Sequence, residues 1–527
     1  MYATSTAAGC SSASICREKA VIALLVAICV LLALTFPTGL LGIFVSAFCM
    51  IMFVMAFTIR YERCKLPETP QQVDRSIDYS NTNVINSPTR PRALYLDNLK
   101  TALTLIVVLH HTAVCFFGTF GMPSWIMQIG LYKSSFSLFG AWFTFVNQSY
   151  FMCLFFFISG HFTPSSYDRK GQQAFLKDRF HRLGLPFLAM TFIGWPTLSA
   201  LTFSALGVVA HYLPLPGPLW FSGWLLLLSF VYAYSEDTAR SRPFYGLGQI
   251  FAWAIGLSIV QIICIGLSYG SLAFMPVVWG SLPFDLAFFY LGVVSKRSGW
   301  LEEGEGPADA VAEVESQELS QDLKGEVVVG DDQIAYDPSH EIKCASDRGS
   351  LSRFLEKHRT LNYFIVALFC IASFIGFVTL YATDSNATSG DDDWSSEPTE
   401  AYPHYMLVYL VLVPINGVMT VFISLLAIDA SKRRLNFQSQ WTKYLAEASY
   451  GVYIFHPFFI QLFAVLWVGR VIPKQLRFHD LYWSIQSTSD VGDEWLWGGF
   501  FFTALLATPI CWIFSAWAKK ELFFKIL

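Results

Sequence analysis

Charge is what this sequence has least of. Of 527 residues only 14% are Asp, Glu, Lys or Arg, against about 25% in an ordinary soluble domain. With 54% hydrophobic and 17% aromatic residues, and a mean hydropathy of +0.47, a soluble fold is excluded, because much of such a fold still meets water. Paired cysteine motifs are missing as well. Eleven cysteines are scattered along the chain, none in a CxxC pair and most inside apolar runs, where cysteine serves as a small buried hydrophobe. Neither a disulfide framework nor a metal site is expected. Basic excess is also lacking: the net charge is −4, and no nucleic-acid partner is expected. That small value conceals a split. Residues 301–350 hold 14 acidic and 3 basic residues, and the rest of the chain 25 acidic and 32 basic. A membrane body with basic edges and one disordered acidic cytoplasmic insertion accounts for both figures.

Long apolar runs, by contrast, are abundant. A spanning helix needs about 20 apolar residues. The run from Val21 to Ile59 is too long for a signal peptide and divides at Pro37-Thr38-Gly39 into two helices. Ten further candidates are 94–117, 138–161, 184–206, 217–235, 246–268, 272–294, 361–382, 405–428, 447–469 and 496–517. The expected fold is all-α, a polytopic membrane bundle of about twelve helices. Its layout is a cytoplasmic tail and two extra helices over 1–59, a cytoplasmic linker over 60–92, and a membrane domain over 93–527 that carries the acidic insertion at 301–350.

Basic residues collect on alternate loops, as they do on the cytoplasmic side of membrane proteins. Arg60, Arg63, Lys65 and Arg75 mark one such loop, Arg169, Lys170, Lys177, Arg179 and Arg182 the next, and Lys432, Arg433 and Arg434 a later one. Both termini are therefore expected in the cytoplasm. The sequon at Asn386 then lies outside, and a second at Asn147 lies too close to a helix to be used.

The segment YLDNLKTALTLIVVLHH, 95–111, carries ionisable groups inside an apolar run. Each costs on the order of 2.5–3.5 kcal/mol on insertion scales, so four together require partners, a cavity or a role. Eleven residues bring His111 back over Lys100 to within about 20°, some 16 Å further along the axis. Asp97, three residues before Lys100, shares the same face, and His110 is turned about 100° away. A snorkelling Asp97–Lys100 pair with two packing histidines is one reading. The other makes His111 a base, since a neutral imidazole in a dry cavity can take a proton from a hydroxyl.

This segment resembles the opening of the acyltransferase 3 family of membrane acyltransferases, in which an acidic residue, a basic residue, ten residues and a histidine follow one another. Asp97, Lys100 and His111 match that spacing, with Lys where Arg is usual; Lys keeps the charge and loses the bidentate fork. Five later stretches agree in order. FFFISGHFTP, 155–164, resembles the second core helix with its Ser-Gly break, and FLKDRFHRLGLP, 175–186, the basic loop after it. LWFSGWLLL, 219–227, FFYLGVVSKRSGW, 288–300, and SYGVYIFHPFF, 449–459, resemble three later helices. The variants look closest to the branch of glucan succinyltransferases.

The resemblance implies a ten-helix core and an O-acyltransferase. It moves an acyl group from an acyl thioester, acyl-coenzyme A, to a hydroxyl of a sugar, glycan or lipid, with His111 as general base beside Lys100 and Asp97 and with no bound cofactor. Lys177, Arg179 and Arg182 become a clamp for the coenzyme A phosphates, although positive-inside topology alone would also place them there. Ser159, His161, Trp220, Tyr450 and His456 become candidates for binding. Each has a plainer reading: His161 as a solvent-facing residue after the Ser159-Gly160 break, His456 as partner to a backbone group freed by Pro457, Trp220 as an interfacial anchor and Tyr450 as a packing residue. A multi-pass transporter or flippase is the competing class. It should show paired broken helices in two related halves.

Overall fold

A computed structural model describes residues 93–116, 135–205, 215–235, 243–267, 271–272, 275–276, 282–302, 349–387, 402–471, 476–479, 482–485 and 493–521. The expected helices before residue 60, the linker over 60–92 and most of the acidic insertion lie outside the described residues. The chain divides into two compact units. One comprises Ala93–Ile263 and Gly280–Leu527 and holds the site; the other includes Cys264–Trp279.

The fold is all-α in its long elements. In chain order these are α1 (Leu94–Phe116), α2 (Ser135–Lys170), a composite α3, α4 (Trp220–Tyr234), α5 (Leu247–Leu267), α6 (Leu282–Arg297), α7 (Ser350–Lys357), α8 (Arg359–Ala387), α9 (Tyr402–Arg434), α10 (Gln440–Val471) and α11 (Asp493–Glu521). Two small antiparallel hairpins accompany them, Ser271–Leu272 with Met275–Pro276 and Leu476–His479 with Tyr482–Ile485. Among the described residues eight helical spans are long and apolar enough to cross a membrane. Their outer faces stay apolar, as at Ile193 and Leu505, 68% and 71% exposed. Only a hydrocarbon surrounding tolerates such faces on this scale, and the chain is a multi-pass integral membrane protein.

Three sequence expectations are corrected. The span expected at 272–294 begins only at Leu282. Ser271–Leu272 pairs instead with Met275–Pro276, where Pro276 opposes a helix. The 16 residues of α6 rise about 24 Å, short of a hydrocarbon core of about 30 Å. The basic segment at 175–186 is not a loop. It starts α3, a continuous run through Gln172–Arg179, a π turn at Phe180–Gly184, Leu185–Ala189, a second π turn at Met190–Gly194, and Trp195–Ala205. The chain instead turns at Gly171, whose φ of 72° suits glycine alone. Finally, Ser159-Gly160 does not break α2, which continues to Lys170.

Gly160 is there for packing. A Cβ on it would lie 2.1 Å from the carbonyl oxygen of Phe289 in α6, and a Cβ on Gly292 would lie 2.1 Å from the carbonyl oxygen of Phe157 in α2. The two backbones meet through reciprocal glycines, the arrangement by which helices gain dispersion contacts where lipid supplies no hydrophobic drive. Asn147, on the same helix, is buried and is no glycan acceptor.

Polar locks hold the helix ends. Arg297 donates to both carboxylate oxygens of Asp168, at 2.7 and 3.0 Å, and to the Tyr232 hydroxyl at 2.9 Å, tying α6 to α2 and α4. Asp493 accepts the backbone N–H groups of Ser135 and Phe136, at 3.0 and 3.3 Å, capping α2 from α11. Asn98 donates to the carbonyls of Leu435 and Phe437, both at 2.7 Å, pinning the α9–α10 connection to α1. The Gly349 N–H donates to the Gly299 carbonyl at 2.9 Å, so the acidic insertion leaves and rejoins the bundle at one point.

Candidate active site

The polar stripe of α1 has two ends. At the first, the Lys100 ammonium lies 2.7 Å from the Asp97 carboxylate and 5.2 Å from the centroid of the Phe162 ring. The expected Asp97–Lys100 pair is thus formed, and a cation–π contact fixes it to α2. The next residue of α2, Thr163, accepts from Arg179 Nη2 at 3.4 Å, while the Arg179 guanidinium stacks over Phe175 at 5.0 Å. One turn of α2 therefore joins the stripe of α1 to the basic segment of α3.

The cations of that segment differ in their engagement. Asp178 bridges Lys170, at 2.7 Å, and Arg182, at 3.0 Å. Arg182 and Lys177 are exposed. The Tyr450 hydroxyl of α10 donates to the Arg182 carbonyl, and the Tyr453 hydroxyl to the Pro218 carbonyl just ahead of α4. Trp220, at the head of α4, packs on Phe156 with centroids 6.5 Å apart.

At the other end of the stripe, three imidazoles meet. The His111 ring lies 5.1 Å from that of His456, the planes 24° apart. His110 meets His111 edge-on at 5.0 Å and the Phe151 ring at 5.1 Å. His111 is half-buried, whereas His110 and His456 are enclosed. The His111 ring is thus packed between the other two imidazoles. Tyr450, Tyr453 and His456 recur every three residues and line one face of α10, with centroids 6.4 and 6.2 Å apart. From Tyr450 to His456 the helix rises only about 9 Å. A ladder of rings thus leads from the Arg182 backbone to the histidines.

The structure brings together most of the candidate residues and sets two apart, His161 and Ser159. His161 does not face solvent. It is 7% exposed, and its Nδ1 lies 3.3 Å from the Ser295 hydroxyl of α6, beside the glycine crossing. Ser159 gives its carbonyl to the Thr163 hydroxyl at 2.7 Å, a role internal to α2. His456 does satisfy a backbone group, as its plainer reading had it, and also stacks on His111. Tyr453 was not anticipated from the sequence. Its signal was its place three residues before His456 and four before Pro457. A buried carboxyl, Asp285, also went unnoticed; it accepts from the Cys153 thiol at 3.4 Å between α6 and α2. Among the described residues no group of three or more His, Cys, Asp or Glu side chains is arranged to hold a metal ion.

The arrangement places cations and aromatic rings at one level, and three imidazoles about 16 Å further along α1. A family model described as an acyltransferase domain matches residues 93–516, about four fifths of the chain. No curated protein and no solved structure matches it.

Proposed function

The chain belongs to the acyltransferase 3 family, and on that footing we propose that it is a membrane O-acyltransferase using acyl-coenzyme A as donor and a hydroxyl of a sugar, glycan or lipid as acceptor, with His111 as general base. The observation that carries this reading is the position of His111, turned into the bundle against His456 on the helix whose other end holds the Asp97–Lys100 pair beside Thr163 and Arg179.

The donor's phosphates sit at the cytoplasmic end, on Lys177, Arg179 and Arg182, and its pantetheine arm runs past Tyr450 and Tyr453 towards the histidines. Lys100, held by Asp97, adds positive charge at the entrance. The acceptor oxygen attacks the thioester carbon while its proton passes to His111; the C–S bond breaks and the thiolate takes up the proton. Basic residues in the last turns of α2, α6, α9 and α11 support an orientation with both ends of the chain in the cytoplasm. Twelve spans, a ten-helix core with two more before residue 60, remain the proposed count, α5 and the shorter α6 completing the core.

The test is direct. Purified protein in lipid nanodiscs, given labelled acyl-coenzyme A and a panel of sugar and lipid acceptors, should form acylated acceptor and free thiol in equal amounts. Failure with every acyl thioester, together with solute uptake in proteoliposomes, would mark a transporter instead. The clamp has its own prediction. Neutralising Arg179 and Arg182 together, as R179Q/R182Q, should raise the donor KM about tenfold, the loss of one to two charge-assisted hydrogen bonds, and leave the acceptor KM unchanged. If only the yield of folded protein falls, the clamp is wrong.

A further inference from the structure

His456 is enclosed, and its Nδ1 lies 2.9 Å from the Tyr453 carbonyl and 3.3 Å from that of Val452. Carbonyl oxygens only accept, so Nδ1 must carry the hydrogen. A neutral imidazole protonated at Nδ1 holds its lone pair at Nε2. The helix itself explains why the Tyr453 carbonyl is available. Its regular donor would be the N–H of residue 457, and that residue is proline, which has none. The Val452 carbonyl, by contrast, has the His456 N–H as its helical donor.

We infer that Pro457 is a positioning residue for acyl transfer: by leaving the Tyr453 carbonyl without a helix donor it captures the Nδ1–H of His456 and holds Nε2 as a second proton acceptor beside His111. This rests on the proposed function. The acceptor hydroxyl can then give up its proton to either of two neighbouring imidazoles, His111 or His456 at Nε2, before the departing thiolate sulfur takes it. The Nδ1–H stays on the Tyr453 carbonyl throughout. That bond stabilises the imidazolium while it lasts, as a buried acceptor does for the histidine of a hydrolase triad. Only one of the two rings holds the proton at a time, since two cations at a centroid separation of 5.1 Å in a low-dielectric space repel strongly. No co-reactant beyond thioester and hydroxyl is needed.

Three variants and one spectrum test it. In His456→Asn the side-chain amide can still donate to Tyr453, yet nothing replaces Nε2; kcat should fall at least tenfold with the donor KM within twofold of wild type. Pro457→Ala restores a backbone donor to the Tyr453 carbonyl and releases Nδ1, so kcat should fall severalfold. In the double variant Pro457→Ala should cost nothing beyond His456→Asn, because it acts only through that imidazole. The spectrum needs no turnover. Nitrogen NMR of ¹⁵N-histidine-labelled protein in nanodiscs, with His456→Asn as the assignment control, should give an Nδ1–H tautomer in the wild type and a mixture in Pro457→Ala. A wild-type Nε2–H tautomer, losses that multiply in the double variant, or an unimpaired His456→Asn each overturn the inference. A wild-type protein inert to all acyl thioesters would instead remove the proposed function, and the tautomer would still be decided by the spectrum.

Discussion

Replacing His111 with alanine is expected to lower kcat for acyl transfer by about 10²–10⁴-fold, the usual contribution of a positioned general base. The ring occupies a place that neither neighbouring imidazole fills. His110 is turned towards Phe151, and His456 is anchored to its own helix through Nδ1. The His111→Gln variant separates chemistry from packing. It fills most of the space and keeps a polar atom, yet it accepts no proton at neutral pH. Both variants should elute as folded protein and should bind donor with little change in affinity, because the Lys100 end of α1, which one turn of α2 joins to Arg179, lies about 16 Å from His111 along the helix. Product formation is then followed with labelled acyl-coenzyme A at saturating acceptor. Transfer at the wild-type rate by either variant would remove His111 as the base and leave the family assignment standing.

A leucine at Gly160 or Gly292 is expected to abolish the folded membrane domain. Even a methyl group at either position would sit 2.1 Å from a backbone oxygen of the facing helix. No rotamer change relieves that contact, because the obstacle is main chain. α2 and α6 would have to separate, and the Arg297–Asp168 lock and the His161–Ser295 contact lie along the same seam. Alanine should cost at least the ~1–3 kcal/mol typical of overpacking, and leucine far more. The contrast is Gly256 in the middle of α5, where an added Cβ meets nothing within 4 Å. Alanine there should be neutral or stabilising by about 0.5–1 kcal/mol, the helical preference over glycine. Size-exclusion profiles in detergent and thermal unfolding measure all of these. A well-folded Gly160→Leu protein with wild-type melting behaviour would show that the helices do not meet through these glycines.

The asymmetry between these two sites shows how much could be read in advance. The stripe from Asp97 to His111 was legible because it lies on one helix, where a period of 3.6 residues converts spacing into direction. The Asp97–Lys100 pair followed from that period alone. The role of Gly160 was not legible. A glycine after serine in an apolar run is compatible with a break, a bend or a close approach, and only the arrival of Phe289 opposite it decides which. The same holds for the segment at 175–186. Charge density suggested a loop, but Phe175, Leu176 and Leu183 are buried, and that packing carries the helix through the charged stretch with a π turn to spare.

Composition and apolar run length were enough to determine that this chain lives in a bilayer, because charge too sparse for a water-facing surface and repeated runs of about 20 apolar residues have no other stable outcome. The order of motifs along the chain placed it among membrane acyltransferases. Only the tertiary structure decided that His456 stands against His111 and that one turn of α2 links Lys100 to Arg179. Those neighbours come from helices distant in sequence, and periodicity within one helix contains no information about which face of another it will meet.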